Sequence, residues 1–355
     1  MKDAKLNKDR VGLAHLSDSG PRNAMRPRLL LLASDVLFSH FFPESVLARL
    51  NQIADWSRYA GREDSPELRA RMAQSDVLMT TWHSPFLDAE MFDTCSRVRL
   101  IAHCGGEVKS RLSERVFDRI TVTNAPEPMV LPVAEMALAL MLTVVRRLPQ
   151  YAAEMRAGVI RTNEYVSEGE TLRGRRVGFV GFGRVGQCLA RLIEPLGGEL
   201  NVADPYCSAD AVTARQGKLV SLDDLLQSCS VVVLAAALTP ETRNLLDQRR
   251  LALMPPGAYL INVARGGLID TEALVAELSA GRITAALDVT DPLEPLPSDH
   301  ELRRLPNVLL TPHIAAGGLE TRHAIGAVAV GEVERFFKGE PLENVVTREM
   351  LATMT

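Results

Sequence analysis

One short run constrains this chain more than any other. Gly181-Phe182-Gly183-Arg184-Val185-Gly186 stands between the apolar stretch Arg176 to Val180 and the amphipathic stretch "VGQCLARLIEPLG". The order predicts a buried strand, a tight turn and a helix. Gly181 permits the turn, Gly183 lets a ligand's phosphates approach the backbone, and Gly186 lets the helix pack closely on the strand. Arg184 and Val185 open the helix, whose free N–H groups then face those phosphates. A glycine turn alone is a weak signal, and the competing reading is a strand–helix turn with no ligand. The flanking strand and helix give the ligand reading its weight.

The rest of the second half repeats that alternation. "RVGFV", "ELNVAD", "SVVVLA", "AYLINV", "ITAALDV" and "VLLTP" read as strands, with helical stretches between most of them. This is the element count of a full dinucleotide-binding domain. Asp204 ends the second of these strands, 18 residues after Gly186. A carboxylate there accepts from the adenosine ribose hydroxyls and repels a 2′-phosphate, so NAD is favoured over NADP; the competing reading is a solvated turn residue in "DPY".

The first half alternates as well. The run Arg28 to Ala33 is continuously apolar, as a strand buried on both faces requires. "PESVLARLNQ", "SPELRARMAQ", "DVLMTTW", "LDAEMFDTC", "VRLIAHC", "LSERVFDR" and "ITVTNAP" follow as helical and strand-like segments. Prolines 126, 128 and 132 then introduce the apolar helix "VAEMALALMLTVVRRL", with Pro132 in its first turn and Arg146 and Arg147 at its C-terminal dipole. After His313, "TRHAIGAVAVGEVERFFKG" reads as an amphipathic helix returning to the first domain. The expected architecture is α/β with two doubly wound parallel-sheet domains. A Rossmann NAD-binding domain (127–313) is inserted into a discontinuous, flavodoxin-like substrate domain (28–126 and 314–345), after a disordered extension over 1–27.

Bulk numbers remove several other classes. Forty basic residues against 44 acidic ones give a net charge of −4. That balance supplies no broad pull toward nucleic acid or an anionic membrane. The five cysteines are scattered with no C-x-x-C pair, and the seven histidines show no metal-ligand spacing. A reducing, cytoplasmic setting without a structural metal follows. The longest apolar stretch, Pro132 to Val145, contains Glu135 and is short for a membrane span, and residues 1–27 hold no apolar signal core.

Three side chains follow the glycine run in order: Arg265 in "NVARGG", Glu294 in "PLEP" and His313 in "TPHI". A guanidinium can bind or polarise the carboxylate and carbonyl of a 2-oxo acid with its fixed fork. A histidine can supply the proton that carbonyl reduction needs. A neighbouring carboxylate favours the imidazolium and orients the ring. The bland readings are a surface cation and a loop histidine.

The chain resembles the D-isomer-specific 2-hydroxyacid dehydrogenase family, which includes glyoxylate, hydroxypyruvate and phosphoglycerate dehydrogenases. The resemblance spans roughly residues 95–320 through "NAP" with "PVAE", "LRGRRVGFVGFGRVG", "SLDDLL", "LTPETRNLL", "LMPPGAYLINVARGGLID", "AALDV", "EPLP" and "LPNVLLTPHIAAG". It implies hydride transfer between NAD and C2 of a small D-2-hydroxy or 2-oxo acid. Arg265 would bind substrate, His313 would act as acid/base and Glu294 as its partner. Asp288 would contact the nicotinamide, with Val263 and Ala264 lining the same face. The loop "AHCGGEVKSRL" stands where the family binds the substrate carboxylate on backbone N–H groups, which points to Gly105 and Gly106, with Lys109 adding charge. A homodimer paired through the cofactor domain is implied too.

The chain departs from the family pattern in three places. Glu294 follows Asp288 by six positions where the family has five, so Asp291 is a rival for the partner role. Ala235-Ala236-Ala237 replaces a histidine and a proline, and the 105–111 loop differs from better-known members. Trp82 and His83 are further candidates for the pocket, although a packed tryptophan and a satisfied histidine are the favoured reading. An NAD-sensing, non-enzymatic scaffold and a formate- or phosphite-type oxidation on the same fold are the other functions such a chain can have. The carboxylate at Glu294 counts against the formate type.

Overall fold

The computed structural model describes residues 26–162 and 164–354. The extension expected over 1–27 thus lies outside the described residues except for its last two. The strands are β1 (Arg28–Leu32), β2 (Asp55–Tyr59), β3 (Val77–Thr80), β4 (Leu100–His103), β5 (Thr121–Thr123), β6 (Arg176–Val180), β7 (Glu199–Ala203), β8 (Lys218–Leu219), β9 (Val231–Leu234), β10 (Tyr259–Asn262), β11 (Thr284–Leu287), β12 (Val308–Leu310) and β13 (Val345–Val346). They form two sheets, ordered β13-β5-β4-β3-β1-β2 and β12-β11-β10-β9-β6-β7-β8. The first is the flavodoxin-like order with an edge strand added, β13 lying antiparallel to β5. The second is the Rossmann order with one strand appended, and its order reverses between β6 and β9.

Central strands were legible because both of their faces are covered. Leu30, Leu31 and Leu32 are 0% exposed, and so are Val231 to Leu234. The strands without an apolar run are edge or near-edge elements. β2 reads "DWSRY" and is only half-buried, because one flank has no neighbour among the described residues. β8 and β13 have two residues each. Two segments read as helical, "LDAEMFDTC" and "LSERVFDR", form only the 3-10 turns Ala89–Phe92 and Glu114–Asp118. A bridge between Leu87 and Leu112 ties the two together, with Leu87 N donating to Arg111 O (2.8 Å) and Ser113 N to Leu87 O (3.1 Å).

The apolar helix runs from Glu127 to Val145 and corrects two expectations. Pro128 occupies its first turn and Pro132 lies inside it. The hydrogen bond lost at Pro132 is outweighed by the stripe Ala134, Ala137, Leu140, Met141, Val144 and Val145, which packs against Val177 and Phe179 of the second sheet and Leu189 of the helix that follows the glycine turn. With 19 residues and a mean hydropathy of 2.0, this helix is also long and apolar enough to cross a membrane by length and composition, with a third of it buried. Its inward stripe is part of a domain core.

The chain returns to the first sheet through the helix Leu319–Lys338, whose Ile325, Ala329, Val330 and Val333 join Leu29, Leu31 and Phe41 in one core. That core is followed by Val346 and Leu351, both buried against the other face of the first sheet, so packing continues past residue 345. The closest approach is at Gly326. A Cβ there would stand 1.8 Å from the carbonyl oxygen of Phe41. Backbone cannot yield as a side chain can, so Gly326→Ala is expected to destabilise the fold by at least the ~1–3 kcal/mol typical of overpacking. Chemical denaturation of parent and variant measures this, and equal midpoints would refute the contact.

Candidate active site

An open cleft of about 1810 Å³ runs between the two domains at the C-terminal ends of their strands. Open α/β sheets place ligands there, beyond the strand ends at the switch point. On the second domain, Gly181, Gly183, Arg184, Val185, Asp204, Val263, Ala264, Arg265 and His313 all line it. Gly186 does not. It lies beneath the turn, where a Cβ would meet Gly181 O at 2.9 Å.

The glycine turn is shaped by close backbone approach. Gly181 has φ +91°, and a Cβ on it would stand 2.6 Å from the Cα and N of Ala236. Small residues at 235–237 are therefore compatible with this turn. Gly183 caps the helix Arg184–Ile193 and faces open space, with nothing within 4 Å of its Cβ position. A pyrophosphate fits that cradle. Asp204 braces the loop from below: Oδ2 accepts from Phe182 N (2.7 Å) and Oδ1 from Tyr206 N (2.8 Å). Each oxygen keeps a lone pair for a ligand hydroxyl.

His313 has a left-handed backbone, φ +52°. A non-glycine residue holds that conformation only when its surroundings demand it. Asp288, which directly follows β11 and is 1% exposed, makes the demand. Its Oδ1 accepts from Thr311 Oγ1 (2.5 Å) and Ile314 N (3.0 Å), its Oδ2 from Ala315 N (2.9 Å), and its carbonyl from His313 N (2.8 Å). This carboxylate sits under the histidine loop and is not part of the cleft lining, which departs from a nicotinamide contact.

The imidazole Nδ1 of His313 is 2.9 Å from Glu294 Oε2. Nε2 is then the nitrogen left for a ligand. The rival Asp291 turns elsewhere, with Oδ2 3.3 Å from Arg243 Nη1 and its carbonyl accepting from Thr271 Oγ1 (2.7 Å). The extra residue in "DVTDPLEP" is absorbed in that turn.

Arg265 follows β10 and donates through Nη1 to Ala264 O (2.7 Å). Asn262, fully buried, holds this loop by donating to Arg265 O (2.9 Å) and accepting from Ala264 N (3.0 Å). Burial pushes the Arg265 guanidinium below its usual range, and the carboxylates of Glu107 and Glu294 oppose that shift. A desolvated cation facing a cleft is disposed to take an anionic ligand.

The first domain supplies Trp82, His83, His103, Gly106, Glu107, Arg111 and Asn124 to the opposite wall, and the return helix supplies Arg322. Two residues expected there from the sequence fall outside that wall. Gly105 is buried with its N–H committed to His103 O (3.0 Å), and Lys109 is not among the lining residues. Glu107 turns the loop by accepting from Ser110 N (2.9 Å) and Ser110 Oγ (2.7 Å). Arg111, placed by its bond to Ser84 O (2.8 Å), is the cation that results. Gly106 is anchored through its carbonyl, which accepts from Asn124 Nδ2 (2.6 Å). Asn262, His103, Glu107, Arg111 and Arg322 were not singled out from the sequence: His103, Glu107 and Arg111 stand in "AHCGGEVKSRL" and Asn262 in "INVARG", but which side chains of those runs reach the cleft depends on how the loops turn.

Comparison with known proteins supports the fold and gives the family. Residues 138–315 match the D-isomer specific 2-hydroxyacid dehydrogenase, NAD binding domain family. The chain is 32% identical to a glyoxylate reductase of Thermofilum pendens over 89% of its own length and 95% of that protein. It is 31% identical to a D-3-phosphoglycerate dehydrogenase of Methanocaldococcus jannaschii over 79% of its length, but spans only 53% of that relative. Among solved structures, the TT0316 protein of Thermus thermophilus is 34% identical, with a TM-score of 0.75 over 90% of this chain and 100% of that one. With its two sheets, its glycine turn and these matches, the chain belongs to the D-isomer specific 2-hydroxyacid dehydrogenase family.

Proposed function

We propose that the protein is an NAD-dependent oxidoreductase acting between C2 of a small D-2-hydroxy acid and its 2-oxo acid. The observation that carries this reading is the His313–Glu294 pair at 2.9 Å, set in the same cleft as Arg265 and the glycine turn. A nicotinamide dinucleotide bound along Gly181–Gly186 supplies or accepts the hydride. Arg265 binds the substrate carboxylate and draws on the C2 carbonyl, and Gly106 lies on the facing wall. His313 holds a proton on Nε2 while Nδ1–H donates to Glu294, and it delivers that proton to the C2 oxygen during reduction. In oxidation it takes the proton back. Reduction of a panel of 2-oxo acids with NADH and with NADPH, followed by nicotinamide absorbance, tests the reading. No turnover of any 2-oxo acid with either cofactor would end it.

We further propose that a second copy of the chain covers the apolar surface of residues 131–166. Leu131, Leu148, Met155, Ile160 and Val166 are 49%, 53%, 63%, 88% and 81% exposed. Apolar side chains in such number on one segment favour burial against a partner. Sedimentation equilibrium is expected to give a dimer in the parent and a monomer for Ile160→Glu with Val166→Glu. A monomeric parent would refute the interface.

Asp204 favours NAD by accepting from ribose hydroxyls and opposing a 2′-phosphate. Asp204→Ala also loosens the turn that Asp204 braces, so the ratio of kcat/KM for NADH to that for NADPH is the telling quantity. It is expected to fall by about tenfold, the scale of one charge-assisted hydrogen bond. A parent that prefers NADPH would overturn this role.

His313→Ala is expected to lower kcat by roughly 10²–10⁴-fold, the cost of losing a general acid/base. Asp288→Asn leaves one loop N–H without its acceptor, so kcat should fall by about tenfold with cofactor KM little changed. A raised cofactor KM with intact kcat would return Asp288 to a nicotinamide contact.

A further inference from the structure

The first domain's wall holds polar atoms that the proposed chemistry leaves unused. His103 ends β4, is 1% exposed and lines the cleft. Its Nδ1 is 2.8 Å from Thr80 Oγ1, and its Nε2 is buried without a partner among the described residues. Thr80 is fully buried, so its hydroxyl proton needs an acceptor. Donating to Nδ1 satisfies it and leaves the ring proton on Nε2. The reverse tautomer would strand both a hydroxyl proton and an Nε2 lone pair. Burial pushes this imidazole down to about 3, so it remains a neutral donor at working pH.

Trp82 follows β3, with its ring held edge-on by Phe41 at 5.0 Å and 80°. A Cβ at Gly105 would stand 2.6 Å from both His103 Nε2 and Trp82 Nε1. The two ring nitrogens therefore pack against Gly105 on one stretch of the cleft wall, which leaves no room for a side chain at residue 105. The Arg322 guanidinium lies over the Trp82 ring at 5.3 Å. Its Nη1 donates to His40 Nδ1 (2.6 Å), and its Nε is buried without a partner among the described residues. Of this wall's carboxylates, Glu107 is occupied by Ser110, with its charge felt at Arg265, and Glu343 pairs with Arg335 (2.6 Å).

The His103 and Trp82 ring N–H groups and the Arg322 guanidinium are all donors. A substrate hydroxyl would bring a proton with no acceptor to meet it, whereas a carboxylate brings acceptors only. We propose that His103, Trp82 and Arg322 form a second oxyanion subsite that receives a carboxylate at the far end of the substrate, so that 2-oxo dicarboxylates are favoured. This rests on the oxidoreductase reading for the first carboxylate and C2, and it assigns the remaining wall.

The test compares acids of equal chain length: oxaloacetate against 2-oxobutyrate, and 2-oxoglutarate against 2-oxopentanoate. The readout is the ratio of kcat/KM within each pair, measured with the nicotinamide that the parent uses. The parent is expected to favour at least one dicarboxylate by about tenfold or more. Trp82→Phe keeps a ring and removes the N–H, and Gly105→Ala displaces the His103 and Trp82 rings. Each should cut that ratio by about tenfold, the effect of one hydrogen bond to a charged group. A parent without the preference overturns the subsite. So does a Trp82→Phe variant in which both acids of a pair fall together, since the donors then serve the C1 carboxylate. Trp82→Phe decides the matter alone if Gly105→Ala does not fold. If no 2-oxo acid is turned over, calorimetry with succinate and butyrate on the nicotinamide-loaded protein decides instead. Tighter succinate binding that Trp82→Phe abolishes keeps the subsite while the oxidoreductase reading fails, and equal binding removes both.

Discussion

The arrangement depends on one buried carboxylate. Asp288 directly follows β11 and gathers Thr311 Oγ1, Ile314 N and Ala315 N around its two oxygens. Taking a carboxylate out of water costs several kcal/mol unless hydrogen bonds replace its hydration. Here three donors do so, and all belong to the segment on which the chain leaves the second sheet. The same contacts hold His313 in the left-handed region and start the path toward the helix Leu319–Lys338. One interaction thus sets both the orientation of the histidine and the return of the chain to the first domain.

The two walls of the cleft are built by different means. The second domain relies on backbone: a glycine turn pressed against Ala236, and the open N-terminus of the helix Arg184–Ile193. Backbone donors suit phosphates, which every dinucleotide shares. The first domain relies on side chains from separate strand ends and from the return helix: Trp82, His103, Arg111 and Arg322. Side chains can change without disturbing either sheet, so this wall is where substrate choice can vary while the cofactor half is kept.

The sequence alone determined the elements whose signal is local. The glycine run, the apolar central strands and the order Arg265, Glu294, His313 were legible because each depends on neighbours in the chain. Strand β6 and its helix are read from spacing, and strands such as β9 are read from an uninterrupted apolar run, which burial on both faces requires. Edge strand β2 was not legible, because a strand with one open flank can alternate polar residues freely.

What only the tertiary structure decided were relations between distant segments. Spacing left Glu294 and Asp291 as rivals beside His313; the fold turns Asp291 to Arg243 and Glu294 to the imidazole. The family resemblance put Lys109 in the substrate loop; the Glu107–Ser110 turn brings Arg111 to the cleft instead. The meeting of His103 and Trp82 over Gly105 joins the ends of two strands, and Arg322 reaches them from over 200 residues further along the chain. Local sequence specifies φ, ψ and periodicity. Which side chains share a cavity depends on how parallel strands are ordered and how closely helices approach, as Gly326 against Phe41 illustrates, and those contacts exist only once the sheets are assembled.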